Sequence, residues 1–481
     1  MSIGRSDDPS WSILFPRSWP APSGSGPSVR ETLLLAGLIL TFLAVAGGLE
    51  AAASTPYPVT FIAAVILVFA LLCVNHLEAA FLLILAATPF STERLVPGTG
   101  SALQVPTEPM LFLALAAWGA RSLVRGNRTF AQPGLTGALL LALGTIVLSV
   151  ITSASRVESL KAAVNATWYG LYGMFILNQF ADRGRLKLLA WAWLVPGVVL
   201  SLYSMGNVLV GHYEPLRGFW WAMPFFPEHG SFAANLSFVC ALAFALALEL
   251  PGALKLLFAA VALLTGAQVI LSLTRGAWMG LAGLGLFLVV VSGRRLLRFG
   301  NLVIVLIGLL GIVGFIGVTG ASKRIERQSQ SFTDPTNVSN LERVNRWIAA
   351  YRMFQSAPVT GIGFGAYSDV YLNYRRVSLS TEQSTQRMGV HSEYLKVLAE
   401  AGLVGAAAAA LVFFFVVRLA WRAIRRTRDP FLRALAVGVT GGLVTYGVHA
   451  TVNNFMNYDK LAIPVWTAAG VLGAIDTLTR E

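Results

Sequence analysis

A polar stretch from Ala321 to about Lys396 interrupts a chain whose remaining length is dominated by apolar runs. Hydrocarbon does not tolerate irregular backbone facing lipid, so a polar segment of roughly 75 residues must sit in water as a small domain of its own. It ends in Gly389-Val390-His391-Ser392-Glu393-Tyr394, which sets a histidine where the insert runs back into apolar sequence. The chemistry of the chain is expected there.

Of 481 residues, 56% are hydrophobic and 12% are charged. Charge is scarce by the standard of soluble domains, and the composition is that of a polytopic membrane protein. The formal charge of +13 does not point to nucleic acid, because the basic residues lie mostly in short loops between apolar runs. Cys73 and Cys240 each sit inside an apolar run, which excludes a disulfide framework and a cysteine-based zinc site. Residues 1–30 hold Pro16, Pro20, Pro22 and Pro27 with several serines, and read as a flexible tail rather than a signal peptide.

Apolar runs fall at 32–49, 59–75, 77–90, 108–124, 135–152, 160–180, 186–210, 231–250, 254–273, 276–292, 301–319, 402–418, 433–450 and 461–477. By the length needed to cross a bilayer these give about fourteen spans, with the short run at 77–90 open to a re-entrant or tilted reading. Lys and Arg accumulate on the cytoplasmic side of span ends. With the N-terminus inside, the dense clusters Arg121/Arg125/Arg128, Arg183/Arg185/Lys187, Arg294/Arg295/Arg298 and Arg418 to Arg433 all fall on the inner face. The same parity places the insert outside, with the 211–230 loop, the Thr274-Arg275 turn and the 451–460 loop. The predicted organisation is a cytoplasmic tail at 1–30, a transmembrane bundle at 31–320, an external loop domain at 321–396 and C-terminal transmembrane helices at 397–481.

Within the insert, Ser339 and Glu342 have capping-box spacing, and Leu341, Val344, Trp347, Ile348, Tyr351 and Phe354 follow at helical intervals. An amphipathic helix is expected over 340–356, lying on the membrane or capping a cavity, with Pro358 ending it. The glycines of Gly361-Ile362-Gly363-Phe364-Gly365 allow tight turns or close approach of a ligand. Residues 391–401 read as a helix leading into the next span.

Arg275 is a lone cation between two spans with little polar cover, either an interfacial snorkelling residue or an anion-binding group, and Gly276 beside it leaves room for a bulky ligand. Arg217 lies in an aromatic-rich external loop, where it pairs with Glu214 or Glu228 or else forks onto a phosphate. Trp220 and Trp221 read as membrane-interface residues or as a surface on which a sugar ring stacks. His391 and His229 both fall outside, and histidine can accept and donate a proton near neutral pH. A histidine at a helix start can equally be structural, and no carboxylate stands at i+3 or i+4 from His391 to partner it. No metal motif, P-loop or Asp-rich external loop is present, so a metal-independent site without cofactor is expected.

In this order, three stretches resemble the O-antigen ligase and polymerase superfamily of membrane glycosyltransferases. The first is Arg217-Gly218-Phe219 followed by Phe226 to Ala234. The second is Leu271-Ser272-Leu273-Thr274-Arg275-Gly276-Ala277. The third runs from Arg346-Trp347 through Pro358-Val359-Thr360-Gly361-Ile362-Gly363-Phe364-Gly365 to His391-Ser392-Glu393-Tyr394-Leu395 and closes with Glu400-Ala401-Gly402-Leu403-Val404-Gly405. One departure is Ser392, where the family commonly has Asn.

The resemblance implies an all-α, GT-C-like polytopic bundle of about 12 to 14 spans with a large external, partly helical loop domain. It also implies an inverting transferase that moves an undecaprenyl-pyrophosphate-linked glycan to an acceptor hydroxyl, on lipid A core or similar, at the outer face of the bacterial inner membrane. His391 then activates the acceptor hydroxyl, and Arg217 and Arg275 bind the donor pyrophosphate. Arg346, His229 and Tyr394 are secondary candidates. The partners implied are the bilayer, the lipid-linked donor and a lipid- or glycan-linked acceptor, with no nucleic acid. A polysaccharide polymerase of the same superfamily, a lipid-linked sugar flippase and a non-catalytic scaffold remain as alternatives.

Overall fold

The computed structural model describes residues 59–96, 101–125, 131–210, 221–298, 301–302, 314, 317, 322–331, 334, 337–381 and 388–480. Arg217, Trp220, the run at 32–49 and most of the run at 301–319 lie outside the described residues. The helices are α1 (Val59–Asn75), α2 (Leu77–Ala87), α3 (Thr107–Arg125), α4 (Pro133–Ile151), α5 (Arg156–Gln179), α6 (Arg183–Val210), α7 (His229–Glu249), α8 (Gly252–Leu271) and α9 (Arg275–Leu296). The insert supplies α10 (Ser322–Gln330), α11 (Val338–Ser356) and α12 (Tyr367–Tyr374), and α13 (Glu393–Arg426), α14 (Pro430–His449) and α15 (Asp459–Leu478) follow. One hairpin, β1 (Thr92–Val96) with β2 (Ser101–Val105), sets Glu93 opposite Gln104. The fold is all-α and polytopic, as expected.

Among the described residues, 8 helices are long and apolar enough to cross a membrane: α4, α6, α7, α8, α9, α13, α14 and α15. Four more of the expected runs are helical but shorter or more polar. The 11-residue α2 buries Leu77, Phe81 and Ile84 and is too short to span. Helix α5 buries Tyr169 and Tyr172, whose hydroxyls donate to Glu108 Oε1 at 3.1 Å and to the Phe81 carbonyl at 2.9 Å.

Helix α7 is the centre of the bundle, with 94% of its apolar window buried. Its sequence explains this, because alanines and serines alternate with single large residues and let neighbours approach. Helix α14 answers with glycines. Phe238 of α7 fills the space beside Gly442, and Leu242 does so beside Gly438. Lipid tails are as apolar as leucine, so such close van der Waals fit, rather than hydrophobic transfer, holds spans together.

The insert has its own apolar cluster, in which Ala349, Ala350 and Met353 of α11 pack on Tyr367 and Tyr371 of α12 and on Ala399 of α13. Helix α11 starts two residues before the expected position. Its cap is Asn337, whose side chain accepts from the Ser339 amide at 3.1 Å, so the Ser339/Glu342 capping box does not form. Glu342 instead accepts from Thr381 Oγ1 at 2.7 Å and pairs with Arg346 at 3.3 Å.

Helix α13 breaks at Gly402, whose φ of 62° and ψ of −161° are not helical. A break frees backbone groups, and buried peptide groups need partners. The insert supplies them. The amides of Ile362 and Gly363 donate to the carbonyls of Ala399 and Glu400 at 3.0 and 3.1 Å, while the amides of Leu403 and Val404 donate to Pro358 and Val359 at 2.9 and 3.2 Å. A Cβ on Gly361 would lie 2.2 Å from the Glu400 carbonyl carbon, and one on Gly402 would lie 2.4 Å from the Val359 oxygen. The close approach read from the glycine run is therefore to the protein itself and not to a ligand.

Gly402→Ala is expected to destabilise the protein by on the order of 1–3 kcal/mol from the left-handed backbone alone, and further through the Val359 overlap. Thermal unfolding of the purified protein in detergent measures this, and an unchanged midpoint would contradict the plugged break.

Candidate functional site

Two chain returns meet at the insert end of the bundle. Helix α8 stops at Leu271 and α9 begins at Arg275, with Leu273 in the left-handed region at φ 55° and Thr274 as N-cap. Helix α13 begins at Glu393, and His391 is likewise left-handed at φ 54°. Non-glycine residues rarely adopt this conformation, and where they do the surrounding structure holds them.

His391 is held from three sides. Its amide donates to Asn454 Oδ1 at 2.8 Å, its carbonyl accepts from Trp347 Nε1 at 3.3 Å, and its Nδ1 lies 3.0 Å from Asn453 Oδ1. An amide oxygen only accepts, so Nδ1 carries the hydrogen and Nε2 is left as the basic atom. Burial, and then the positive field of Arg346, pull the imidazole down to about 4, with Arg343 adding to the field and the Asn453 bond opposing it. At neutral pH the ring is uncharged and able to take a proton.

Ser392 follows as the N-cap of α13, its Oγ accepting from the Leu395 amide at 3.4 Å. Serine and asparagine cap helices about equally well, which accounts for the departure from the family pattern.

Arg275 does not snorkel. It is 9% exposed and reaches across to the insert, where Nη1 donates to the Ser331 carbonyl at 2.8 Å and Asn340 Oδ1 at 2.9 Å and Nη2 approaches Ser339 Oγ at 3.4 Å. Gln328 Nε2 adds a bond to the Leu273 carbonyl at 2.9 Å. The guanidinium thus docks α11 onto the start of α9. Gly276 leaves room for the ring of His449, whose Cδ2 and Nε2 would be 2.4 and 2.8 Å from an added Cβ, and not for a bulky ligand.

Arg346 and Arg343 project from α11 into the same region. Arg346 pairs with Glu342, and its own carbonyl accepts from Tyr367 OH at 2.8 Å. Burial lowers its pKa, while Glu342 and then the tyrosines and Glu228 hold it up. Arg343 is pushed down to about 10, first by burial and then by Arg275 and Arg346, and so stays charged at neutral pH. Its Nε is buried without a hydrogen-bond partner among the described residues. A cation held among two others with an unmet donor is suited to an anion.

His229 opens α7 and its Nδ1 lies 3.0 Å from the Ser272 carbonyl and 2.8 Å from Thr274 Oγ1. It fixes the turn that presents Arg275. Tyr394 donates to the Gly447 carbonyl at 2.8 Å and is 53% exposed. Trp221 is 7% exposed and packs with Val208 and Leu271, so it is a core residue rather than a membrane-interface one.

Sequence reasoning brought out Arg275, Arg346, His229 and His391, which the fold gathers at one end. It passed over Arg343, His449, Asn453 and Asn454. Arg343, Arg346 and Trp347 stand at i, i+3 and i+4, so one helix face was readable as basic. Nothing in the sequence marks the two asparagines, which act through a fold contact.

The fold is thus a polytopic helical bundle with an uncharged histidine in the field of Arg343 and Arg346 at one end. Residues 259–410, from within α8 to within α13, match the family model described as O-Antigen ligase. No curated protein matches it.

Ser392→Asn is expected to leave stability within about 0.5 kcal/mol, whereas Ser392→Ala costs about 0.5–2 kcal/mol. Chemical or thermal unfolding in detergent compares them, and equal loss in both variants would show that Ser392 does more than cap.

Proposed function

We propose that the chain transfers a glycan from an undecaprenyl-pyrophosphate carrier to an acceptor hydroxyl at the outer face of a bacterial inner membrane, as an inverting ligase that needs no metal. The observation that carries this reading is the pairing of His391, with Nε2 left basic, and the Arg343–Arg346–Arg275 cluster in a chain whose residues 259–410 match the O-Antigen ligase family model. The positive-inside pattern of the loops supports the outer placement.

In this reading the donor pyrophosphate lies against Arg343 and Arg346, with Arg217 of the neighbouring loop as a further ligand. His391 Nε2 takes the proton of the acceptor hydroxyl, the oxygen bonds to the anomeric carbon from the face opposite the carrier, and the bond from that carbon to the pyrophosphate oxygen breaks. The charge that develops on the leaving pyrophosphate meets guanidinium groups already fixed in place, which is where preorganised donors contribute most. Donor binding also offsets the positive field on His391. The histidine then becomes a stronger base when the anion is seated, so proton transfer is coupled to occupancy.

His391→Ala is expected to lower kcat by about 10²–10⁴-fold. Arg343→Ala is expected to lower it by about 10²–10³-fold. Purified enzyme with lipid-linked donor and acceptor measures both. Normal transfer by both variants would sink the assignment, and chain growth from donor alone would make the enzyme a polymerase.

The pH profile follows from the depressed histidine. A base that is lowered to about 4 in the free enzyme stays deprotonated well below the ordinary histidine range, so kcat/KM should be flat from neutral pH and fall only as pH approaches 4. An acid limb centred on the ordinary histidine value would show that burial and the arginines do not act on His391.

A further inference from the structure

Helix α13 begins beside the insert and ends at Arg426, so its last turns, with those of α15, lie at the opposite end of the bundle. They meet around one carboxylate. Asp476 of α15 is fully buried, and three guanidinium groups share it, Arg480 at 2.7 Å, Arg426 at 3.5 Å and Arg422 at 3.9 Å. Gln132, the residue before α4, donates from Nε2 to Asp476 Oδ2 at 2.9 Å and accepts from Arg480 Nη2 at 2.8 Å. No other carboxylate pairs with these arginines among the described residues, so one negative charge holds three positive ones.

That excess sets the place apart from its surroundings. At the same end, Glu249 pairs with two arginines, Arg295 at 2.7 Å and Arg433 at 3.2 Å, and Asp429 pairs with Arg183 at 2.8 Å. The side chains of Arg422, Arg426 and Arg480 are 27%, 47% and 43% exposed. A guanidinium carries five N–H donors in a planar fork, and those not spent on Asp476 or Gln132 suit the paired oxygens of a phosphate.

The neighbouring face of α13 indicates what carries that phosphate. Phe414, Arg418, Trp421 and Arg425 stand at i, i+4, i+7 and i+11 and form one exposed stripe. Phe414 and Trp421 are 55% and 59% exposed, and the Arg425 guanidinium lies 3.9 Å from the centroid of the Trp421 ring. Exposed phenylalanine on a spanning helix belongs against lipid tails, and tryptophan belongs at headgroup level. The stripe therefore leads from hydrocarbon to the arginines. A soluble anion uses the arginines alone, whereas a phospholipid covers the stripe as well. The face is the one expected to be cytoplasmic, where basic pockets between helices meet anionic headgroups.

We propose that the far ends of α13 and α15 form a binding site for an anionic glycerophospholipid, with its phosphate on Arg422, Arg425 and Arg426 and an acyl chain along Trp421 and Phe414. The site is independent of the transferase reading, because neither His391 nor the insert arginines take part in it.

Native mass spectrometry of the full chain, released from a neutral detergent with phosphatidylglycerol or phosphatidylcholine of the same acyl chains, tests this. The wild type is expected to retain phosphatidylglycerol about tenfold or more over phosphatidylcholine. Arg425→Gln with Arg426→Gln should reduce that preference about tenfold or more, while Arg294→Gln with Arg298→Gln, which removes the same charge at the end of α9, should leave it within about twofold. Should the first pair unfold the protein in lipid-free detergent, Arg425→Gln alone touches no Asp476 bond and is expected to reduce the preference about fivefold. Equal retention of the two lipids, or equal loss in both double variants, would overturn the proposal. So would displacement of the lipid by millimolar inorganic phosphate, which would mark a site for a free anion, or capture of polyglutamate without any lipid preference, which would mark a protein-docking surface.

Discussion

Backbone hydrogen bonding across the break at Gly402 is the interaction on which the site depends. A helix interrupted inside an apolar bundle leaves carbonyls and amides that water cannot reach, and each must find another partner. The loop from Pro358 to Gly363 supplies two donors and two acceptors to the two sides of the break. The insert is thereby fastened to the bundle at a fixed height and rotation. His391 and Arg343 reach one another's field because of that fastening, since they stand on opposite arms of the insert. The bond from Ser149 Oγ to the Glu400 carbonyl at 2.8 Å ties α4 into the same joint.

A second constraint is electrostatic. Arg275, Arg343 and Arg346 are brought together, and Glu342, with the hydroxyls of Tyr371 and Tyr367 and the carboxyl of Glu228, offsets the charge on Arg346, while burial pushes the Glu228 carboxyl up. Gathering cations in a partly dry place is unfavourable unless something compensates. Arg275 is compensated by neutral oxygens of the insert, and Arg346 by Glu342. Arg343 Nε has no such bond among the described residues, which is the feature on which the proposed anion site rests. Burial, together with the field of Arg346 and Arg343, keeps His391 uncharged at neutral pH.

Much of this was legible along the chain. The order of apolar runs gave the bundle, and the eight helices suited to crossing coincide with eight of the fourteen runs. The break between α8 and α9 fell where Thr274-Arg275 announced it, and the amphipathic pattern after Leu341 found α11. Errors came where a residue type serves more than one purpose. The Gly361–Gly365 run signalled close approach but not to what, and Ser339 looked like a cap although Asn337 performs that task. Gly276 reads as open space in sequence and is filled by His449 in the fold.

The sequence by itself determined that the chain is a lipid-embedded helical bundle with one long polar insert, because hydrophobic run length and backbone satisfaction in hydrocarbon admit few other solutions. It also determined which residue types could carry anionic chemistry. The tertiary structure alone decided how they meet. Contacts between residues far apart along the chain, such as His391 with Asn453 and Arg275 with Ser331 and Asn340, depend on packing angles and loop closure that no local pattern encodes. For the same reason, the tautomer and charge of His391 belong to the fold and not to the motif in which it is written.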